Sequence, residues 1–94
     1  MDSHYVYIMA SRENGTLYVG MTHDLKKRVW EHKNDCTSGF TREYRVHKLV
    51  YFEGPMTHES ALLHEKRLKK WRCRWKMELI EKENLFWEDL YDTI

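Results

Sequence analysis

Four side chains in the first third of the chain can act on phosphate groups and on water: Tyr7, Tyr18, Arg28 and His32. A guanidinium group such as that of Arg28 stays charged and can bind two phosphate oxygens at once. His32 can bind phosphate or give a proton to a leaving group. A tyrosine hydroxyl can position or deprotonate water if a nearby cation lowers its pKa from about 10. The same residues could equally be half-buried strand tyrosines, a structural histidine and a solvated cation.

Glu65 is a fifth candidate, because it lies inside an apolar helical stripe, four residues after Ala61 and three before Leu68. A buried carboxylate without a partner is costly, so a partner is expected. Spacing alone leaves two choices for this partner, an arginine in an ion pair or a metal ion. The ion pair is the more common of the two. A hard carboxylate oxygen suits Mg²⁺ or Mn²⁺, with water and a substrate phosphate completing the coordination shell.

These side chains need elements to position them, and the first two elements are predicted to be strands. His4–Met9 and Thr16–Val19 are rich in β-branched and aromatic residues. Between them, Asn14-Gly15 is the strongest short hairpin signal, because both residues adopt positive φ at low cost. Gly20 either keeps the backbone close to the site or ends the second strand.

A helix is predicted to follow the hairpin, with Thr22 or Asp24 as its cap. Its apolar residues recur at a spacing of four, which is typical of an amphipathic helix. Arg28 and His32 have the same spacing, so they stack along one edge of its apolar face.

Residues 34–46 are polar and contain a glycine, which predicts a loop with at most a short turn. The loop places aromatic rings beside cations, a composition that suits a nucleic-acid strand, in Phe40, Thr41, Arg42, Tyr44 and Arg45. The alternative is that Phe40 and Tyr44 pin the loop into the core.

The second half of the chain predicts one more strand, two helices and a packed tail. The strand, His47–Glu53, is ended by Gly54-Pro55, and Thr57 then caps a helix. The apolar stripe of the first helix comprises Ala61, Leu62, Leu68 and Trp71, and the second helix, Arg74–Lys82, presents Trp75, Leu79 and Ile80. In the tail, Phe86, Trp87, Leu90 and Tyr91 are expected to pack back onto the domain.

The formal net charge of +1 conceals a segregation of charge. Residues 66–76 hold seven Lys or Arg and no acid, whereas residues 78–92 hold six acids and one Lys. The basic segment interleaves with Trp71 and Trp75, which suits a surface that follows a nucleic-acid backbone. The alternative is a solvated basic face with both tryptophans in the core.

A chain of 94 residues suffices for one domain with a modest core. It contains neither an apolar run of about 18 residues nor a signal-peptide pattern, so a soluble, cytoplasmic protein without membrane contact is expected. Cys36 and Cys73 are not closely spaced, which favours neither a disulfide nor a zinc site.

The order of these motifs resembles the GIY-YIG nuclease family over essentially the whole chain. The segments that carry the resemblance are Tyr5-Val6-Tyr7, Tyr18-Val19-Gly20, Arg28 with His32, Leu49–Glu53 and Ala61–Lys69. The chain looks like the small, stand-alone, UPF0213-like branch, which is similar to the N-terminal catalytic domain of the excision-repair nuclease excinuclease C. The resemblance implies an α/β (α+β) fold, with a three-stranded antiparallel sheet flanked by helices in the order β-β-α-β-α-α. Residues 1–94 would form a single domain.

The resemblance also implies roles for the site residues. Tyr7 corresponds to the general base, Tyr18 to a positioning group, and Glu65 to the ligand of Mg²⁺ or Mn²⁺, with Arg28 and His32 completing the catalytic set. The expected nucleic-acid contacts are Lys27, Arg42, Arg45, Lys69, Lys70 and Arg72.

The function implied is that of a metal-dependent DNA endonuclease in repair or recombination, with low sequence specificity or a preference for branched or single-stranded DNA. A protein partner would supply targeting. Three positions depart from the family pattern: Tyr5 replaces a glycine, Met21 a lysine and Met77 an asparagine. The last two favour the alternative, a nucleic-acid-binding module of the same fold with weak or no catalysis.

Overall fold

The fold was analysed in a computed structural model, which describes residues 3–36 and 39–94. Its strands are β1 (His4–Ala10), β2 (Leu17–Thr22) and β3 (Lys48–Met56), and its helices are α1 (Leu25–Lys33), α2 (Phe40–Glu43), α3 (His58–Lys70) and α4 (Cys73–Glu83), followed by a 3₁₀ turn at Leu90–Thr93. The α+β class and the predicted order are confirmed, with α2 as one added turn. Residues 37 and 38 of the predicted 34–46 loop lie outside the described ranges.

The sheet is antiparallel with strand order β2-β1-β3, so β1 lies in its centre. Residues 6–10 of β1 are all buried, because both faces of this strand are covered. Alternate side chains of a strand point to opposite faces, and here they enter two clusters. We call these the α1 core (Tyr7, Met9, Leu25, Val29, Val46 and Leu49) and the α3/α4 core (Val6, Ile8, Ala10, Val19, Val50, Ala61, Leu68, Ile80 and Trp87).

The hairpin and the helix starts form where they are predicted. In the turn only Asn14 adopts a positive φ, of 57°, whereas the prediction gave a positive φ to Gly15 as well. Of the two candidate caps of α1, Asp24 takes the role, since its side chain accepts the Lys27 N–H at 3.2 Å. Thr57 caps α3 by accepting the Ser60 N–H at 3.1 Å.

Two strands continue past their predicted ends. β2 passes through Gly20 to Thr22, and β3 passes through Gly54-Pro55 to Met56, which pairs with His4. The prediction that Gly54-Pro55 ends β3 is therefore wrong, and of the two alternatives for Gly20 the end of the strand is excluded. β3 is an edge strand whose register against β1 shifts near His4, and a proline without an N–H is tolerated at an edge or a bulge.

Several side chains of the predicted apolar stripes and of the tail are exposed: Leu62, Trp71, Trp75 and Phe86. The buried residues of α3, Ala61 and Leu68, lie seven positions apart, on the same side of the helix. Leu62 points about 100° away from that side. Trp71 is the C-cap of α3, where the chain turns into α4. The helices bury less of their surface than the sequence pattern suggested.

The tail after α4 packs back as predicted through Trp87, whose ring is fully buried and whose Nε1 donates to Glu81 at 2.8 Å. Leu90 and Tyr91 contact the α1 core on the other face of the sheet. The tail therefore passes around β3. Among the described helices, none is long and apolar enough to cross a bilayer.

Side chains of the tail bind backbone groups of β3. The buried Asn84 amide donates to the carbonyls of Val50 at 3.1 Å and Glu88 at 2.8 Å, and its oxygen accepts the Glu88 N–H at 2.9 Å. The Asp89 carboxylate accepts the Leu49 N–H at 3.2 Å and forms an ion pair with Lys33. These contacts fix the tail to the strand.

Replacing Asn84 by Ala is expected to lower the free energy of unfolding by about 2–3 kcal/mol, because buried backbone groups lose their partners. The matched control is Asn34→Ala, whose side chain donates to the Trp30 carbonyl at the exposed end of α1 and is expected to lose about 0.5 kcal/mol. Urea unfolding of both variants measures the difference. Equal losses would contradict the structural role of Asn84.

Candidate active site

The four chemically competent residues of the first third meet beside β2, an edge strand of the sheet. A cavity of about 430 Å³ opens there, and its walls carry Tyr18 from β2, Arg28, Glu31 and His32 from α1, and Phe40 and Thr41 from α2. Tyr7 lies behind this wall, almost fully buried in β1.

The hairpin register brings the two tyrosines together. Tyr7 pairs with Gly20, and Met9 pairs with Tyr18, so the two rings are diagonal neighbours on one face, with centroids 6.3 Å apart. A Cβ atom on Gly20 would lie 2.6 Å from the Tyr7 hydroxyl oxygen, which is closer than packing allows. Gly20 therefore lets β2 pass against the Tyr7 ring, which is the first of its two predicted roles.

The imidazole of His32 connects the sheet to both neighbouring helices. It is only 2% exposed, with Nε2 at 2.9 Å from the Tyr7 hydroxyl and Nδ1 at 3.2 Å from the Thr41 hydroxyl. The sequence identified Thr41 only as a member of a polar loop. No sequence signal gives its contact with His32, because the contact depends on the path of the loop.

Burial sets the charge state of this pair. It lowers the pKa of His32 to about 4, an effect that Arg28 reinforces. It also raises the pKa of Tyr7 well above the ordinary value, where Tyr18 adds to the rise and Arg28 opposes it. Both groups are therefore neutral at pH 7. When Nδ1 carries the proton and donates to Thr41, Nε2 accepts the hydrogen bond from the Tyr7 hydroxyl.

Arg28 supplies the positive charge of the cavity. Its Nε lies 3.5 Å from a Glu31 carboxylate oxygen, three residues further along α1, and its side chain is 44% exposed. An ion pair this exposed contributes little to stability, so the guanidinium can exchange Glu31 for a phosphate at small cost. Glu31 was not singled out from the sequence.

Glu65 is mostly covered, with 17% of its side chain exposed, and it pairs with Lys69 one turn along α3 at 3.4 Å. The ion pair expected from spacing is present, with a lysine in place of the arginine. The Glu65 carboxylate also raises the pKa of Tyr7, although α3 packs on the other face of the sheet. Glu65 is not among the described residues on the cavity wall, so its link to the other four candidates is only this electrostatic one.

In the described part of the chain, no group of three or more His, Cys, Asp or Glu side chains could hold a metal ion. A single carboxylate still fits Mg²⁺, which usually keeps several waters and takes one or two carboxylates with substrate phosphates. Glu65 is the residue that would hold such an ion. Both cysteines are free and exposed, and Cys36 reaches the rim of the cavity.

The six cations predicted to contact nucleic acid fall into two groups. The first group lies in or next to the first two helices: Lys27 in α1, Arg42 in α2 and Arg45 just after α2. The second group, Lys69, Lys70 and Arg72, lies where α3 turns into α4. All six are exposed, and Lys27 also lines a small cavity beside Arg28.

Both interpretations that placed the aromatic residues of these surfaces in the core are wrong. Trp71 and Trp75 are exposed with centroids 6.1 Å apart, and the Arg72 guanidinium lies 5.8 Å from the Trp75 ring. Phe40 and Tyr44 are exposed as well, because Thr41 and Val46 hold their segment in place instead.

The buried neutral His32 makes stability depend on pH. The unfolded chain takes up this proton near the ordinary pKa of 6.5, whereas the folded protein takes it up near a pKa of 4. The free energy of unfolding should therefore fall by about 3 kcal/mol as the pH drops through this window. Urea unfolding at neutral pH and near pH 4 measures the loss, and an NMR titration of His32 gives its pKa directly.

His32→Gln is expected to flatten this dependence, and the control His23→Gln, at an exposed histidine, is expected to leave it unchanged. A His32 imidazole that titrates near 6.5 would contradict the burial argument.

Comparison with known proteins gives the family of this chain. A family model described as the GIY-YIG catalytic domain matches residues 3–78. The UPF0213 protein of Staphylococcus saprophyticus is 36% identical over 80 residues, which cover 85% of this chain and 96% of that protein. That of Clostridium perfringens is 36% identical over 81 residues, covering 86% of each chain.

A solved structure shows the same fold. The solution NMR structure of a UPF0213 protein from Bacillus halodurans superposes with a TM-score of 0.56 at 28% identity, covering 92% of this chain and 90% of that one. The family match over most of the chain and the identity to these relatives establish its kinship. The chain belongs to the GIY-YIG nuclease family, among its small UPF0213 members.

Proposed function

We propose that this protein is a metal-dependent endonuclease that hydrolyses phosphodiester bonds in DNA. The carrying observation is the convergence of four groups: Tyr18, Arg28 and His32 line one cavity, and Tyr7 contacts His32 directly behind it. Membership of a nuclease family makes a phosphodiester the natural substrate for this set of groups.

In this proposal Arg28 binds the phosphoryl oxygens and stabilises the charge that develops on them. Glu65 would hold Mg²⁺ or Mn²⁺, which when bound supplies further positive charge beside the phosphate. The Lys69 ammonium, now 3.4 Å from Glu65, has to move aside for this. Lys69 is half exposed, so its displacement costs little.

Tyr7 acts as the general base and Tyr18 positions the attacking water. A free Tyr7 phenolate is disfavoured because burial raises the pKa of that hydroxyl. The 2.9 Å contact supports a relay instead, in which Tyr7 takes a proton from water while it gives its own to Nε2 of His32. With both ring nitrogens engaged, His32 suits this role better than that of a proton donor to the leaving group.

The wider role is inferred from what the chain offers around this site. Residues 1–94 act as one domain, since Trp87 of the tail lies in the same core as Val6 of β1. With cations for phosphates and no evident element for base reading among the described residues, the cleavage has low sequence specificity or follows DNA structure. We place it in cytoplasmic DNA repair or recombination, where a protein partner supplies targeting.

Glu65→Gln keeps the shape of the side chain and removes its charge, so cleavage should fall at least about 100-fold while the protein stays folded and still binds DNA. The matched control is Glu59→Gln, an exposed glutamate on the first turn of the same helix, which should cleave like the wild type. The assay compares linear, branched and single-stranded DNA with Mg²⁺ or Mn²⁺. Equal cleavage by all three proteins would show that Glu65 is not the ligand.

Binding without cleavage, even by the wild type, would favour the alternative function, a nucleic-acid-binding module of this fold. The Glu65–Lys69 ion pair and the methionines at positions 21 and 77 are the features that support that alternative.

Tyr7→Phe removes the hydroxyl and almost no volume, and is expected to slow cleavage about 10²- to 10⁴-fold because the general base is lost. Tyr18→Phe should slow it less. The control is Tyr51→Phe, a buried tyrosine of β3 whose hydroxyl donates to Glu53 at 3.1 Å, away from the cavity. Single-turnover rates with bound DNA measure the chemical step. A larger loss for Tyr18→Phe than for Tyr7→Phe would reverse the two assigned roles.

A further inference from the structure

Three aromatic rings form a row that begins at the wall of the cavity beside β2. The Tyr18 ring on the cavity wall is followed by Phe40, with centroids 6.3 Å apart, and then by Tyr44 at 4.9 Å from Phe40. We call these three rings the aromatic ladder. Phe40 is 45% exposed and Tyr44 is 50% exposed, so their outer faces meet solvent.

The fold does not require these rings to be aromatic. The segment that carries them is held by Thr41, which is buried against His32, and by Val46, which belongs to the α1 core. Adjacent exposed rings that the core does not use are typical of a ligand-binding surface. A domain of this size gains little from leaving apolar area in water.

The ladder ends at a second cavity, of about 590 Å³, between the β1–β2 turn and the residues that follow α2. Arg12 and Asn14 line it from the turn, and Tyr44 and Arg45 line it from the other side. The described residues on its walls include two arginines and no acid, so its charge complements an anion. A cavity of this volume can hold a nucleotide-sized group.

We propose that the aromatic ladder and this arginine-lined cavity bind unpaired nucleotides of a DNA strand next to the scissile phosphate. This inference rests on the proposed function and names its substrate class: DNA that is single-stranded or carries an unpaired segment. Bases stack on the outward faces of Phe40 and Tyr44, and a phosphate further along the strand binds Arg12 and Arg45.

Two physical points select an unpaired strand. Phe40 and Tyr44 already contact each other, so a base has to stack on their outer faces rather than between them. In a duplex, neighbouring bases cover those faces, whereas an unpaired base can turn its face to a ring, with about 1–3 kcal/mol gained per stacked base. An acidic peptide could bind the arginines but would leave the ring faces unused.

The test is equilibrium binding by fluorescence anisotropy in EDTA, so that no cleavage is needed. The probes are an oligodeoxythymidine of about 12 nucleotides, a duplex of the same length, and an abasic strand with the same phosphates. Wild type should bind the thymidine strand more tightly than the other two. The abasic strand is the sharpest comparison, because it removes the bases and keeps the charge.

Phe40→Leu and Tyr44→Leu should each weaken binding of the thymidine strand roughly 5- to 100-fold. Binding of the abasic strand should hardly change. Phe86→Leu is the matched control, because it makes the same substitution at a ring that is 76% exposed within the acidic tail. Circular dichroism checks that all three variants are folded.

Equal affinity of wild type for the thymidine and abasic strands would overturn the proposal, as would equal effects of Phe40→Leu and Phe86→Leu. Tighter binding of a polyglutamate peptide than of the thymidine strand would overturn it as well.

The outcome is separable from that of the nuclease assay. Stacking without cleavage of any DNA would retain the ladder and refute the nuclease. Cleavage of continuous duplex that Phe40→Leu leaves unchanged would retain the nuclease and refute the ladder.

Discussion

The hydrogen bond between the Tyr7 hydroxyl and His32 is the interaction on which the site depends. β1 is covered on both faces, so a tyrosine in its middle has to find a partner for its hydroxyl inside the protein. The partner comes from α1, and its second nitrogen is held by Thr41 of α2. One buried chain of contacts therefore aligns the central strand, the first long helix and the loop that borders the cavity.

Charge is arranged around this neutral pair rather than within it. Arg28 and Glu31 lie at the mouth of the cavity and Glu65 approaches from α3, where each can be rehydrated or re-paired. The buried part of the site thus avoids the cost of isolated charge. The charged residues of the mouth stay available to a ligand, and the interior geometry does not depend on them.

Local signals predicted much of this architecture. Asn14-Gly15 marked the hairpin, Asp24 and Thr57 began their helices, and Trp87 returned to the core, because each depends on nearby residues or on one large apolar ring. The contact of Thr41 with His32 depends on how α1 and α2 meet, which no local pattern gives. Composition overestimated burial at Trp75 and Phe86, because it gives apolar area without telling which side of an element faces the core.

The tail contacts on β3 have a consequence for how molecules of this protein meet each other. An edge strand presents unpaired N–H and C=O groups that can recruit a strand from another chain. The Asp89 carboxylate accepts the Leu49 N–H, and the Asn84 amide donates to the Val50 carbonyl. Side chains therefore occupy positions that a fourth strand would fill. The tail thus shields this edge from strand-by-strand aggregation.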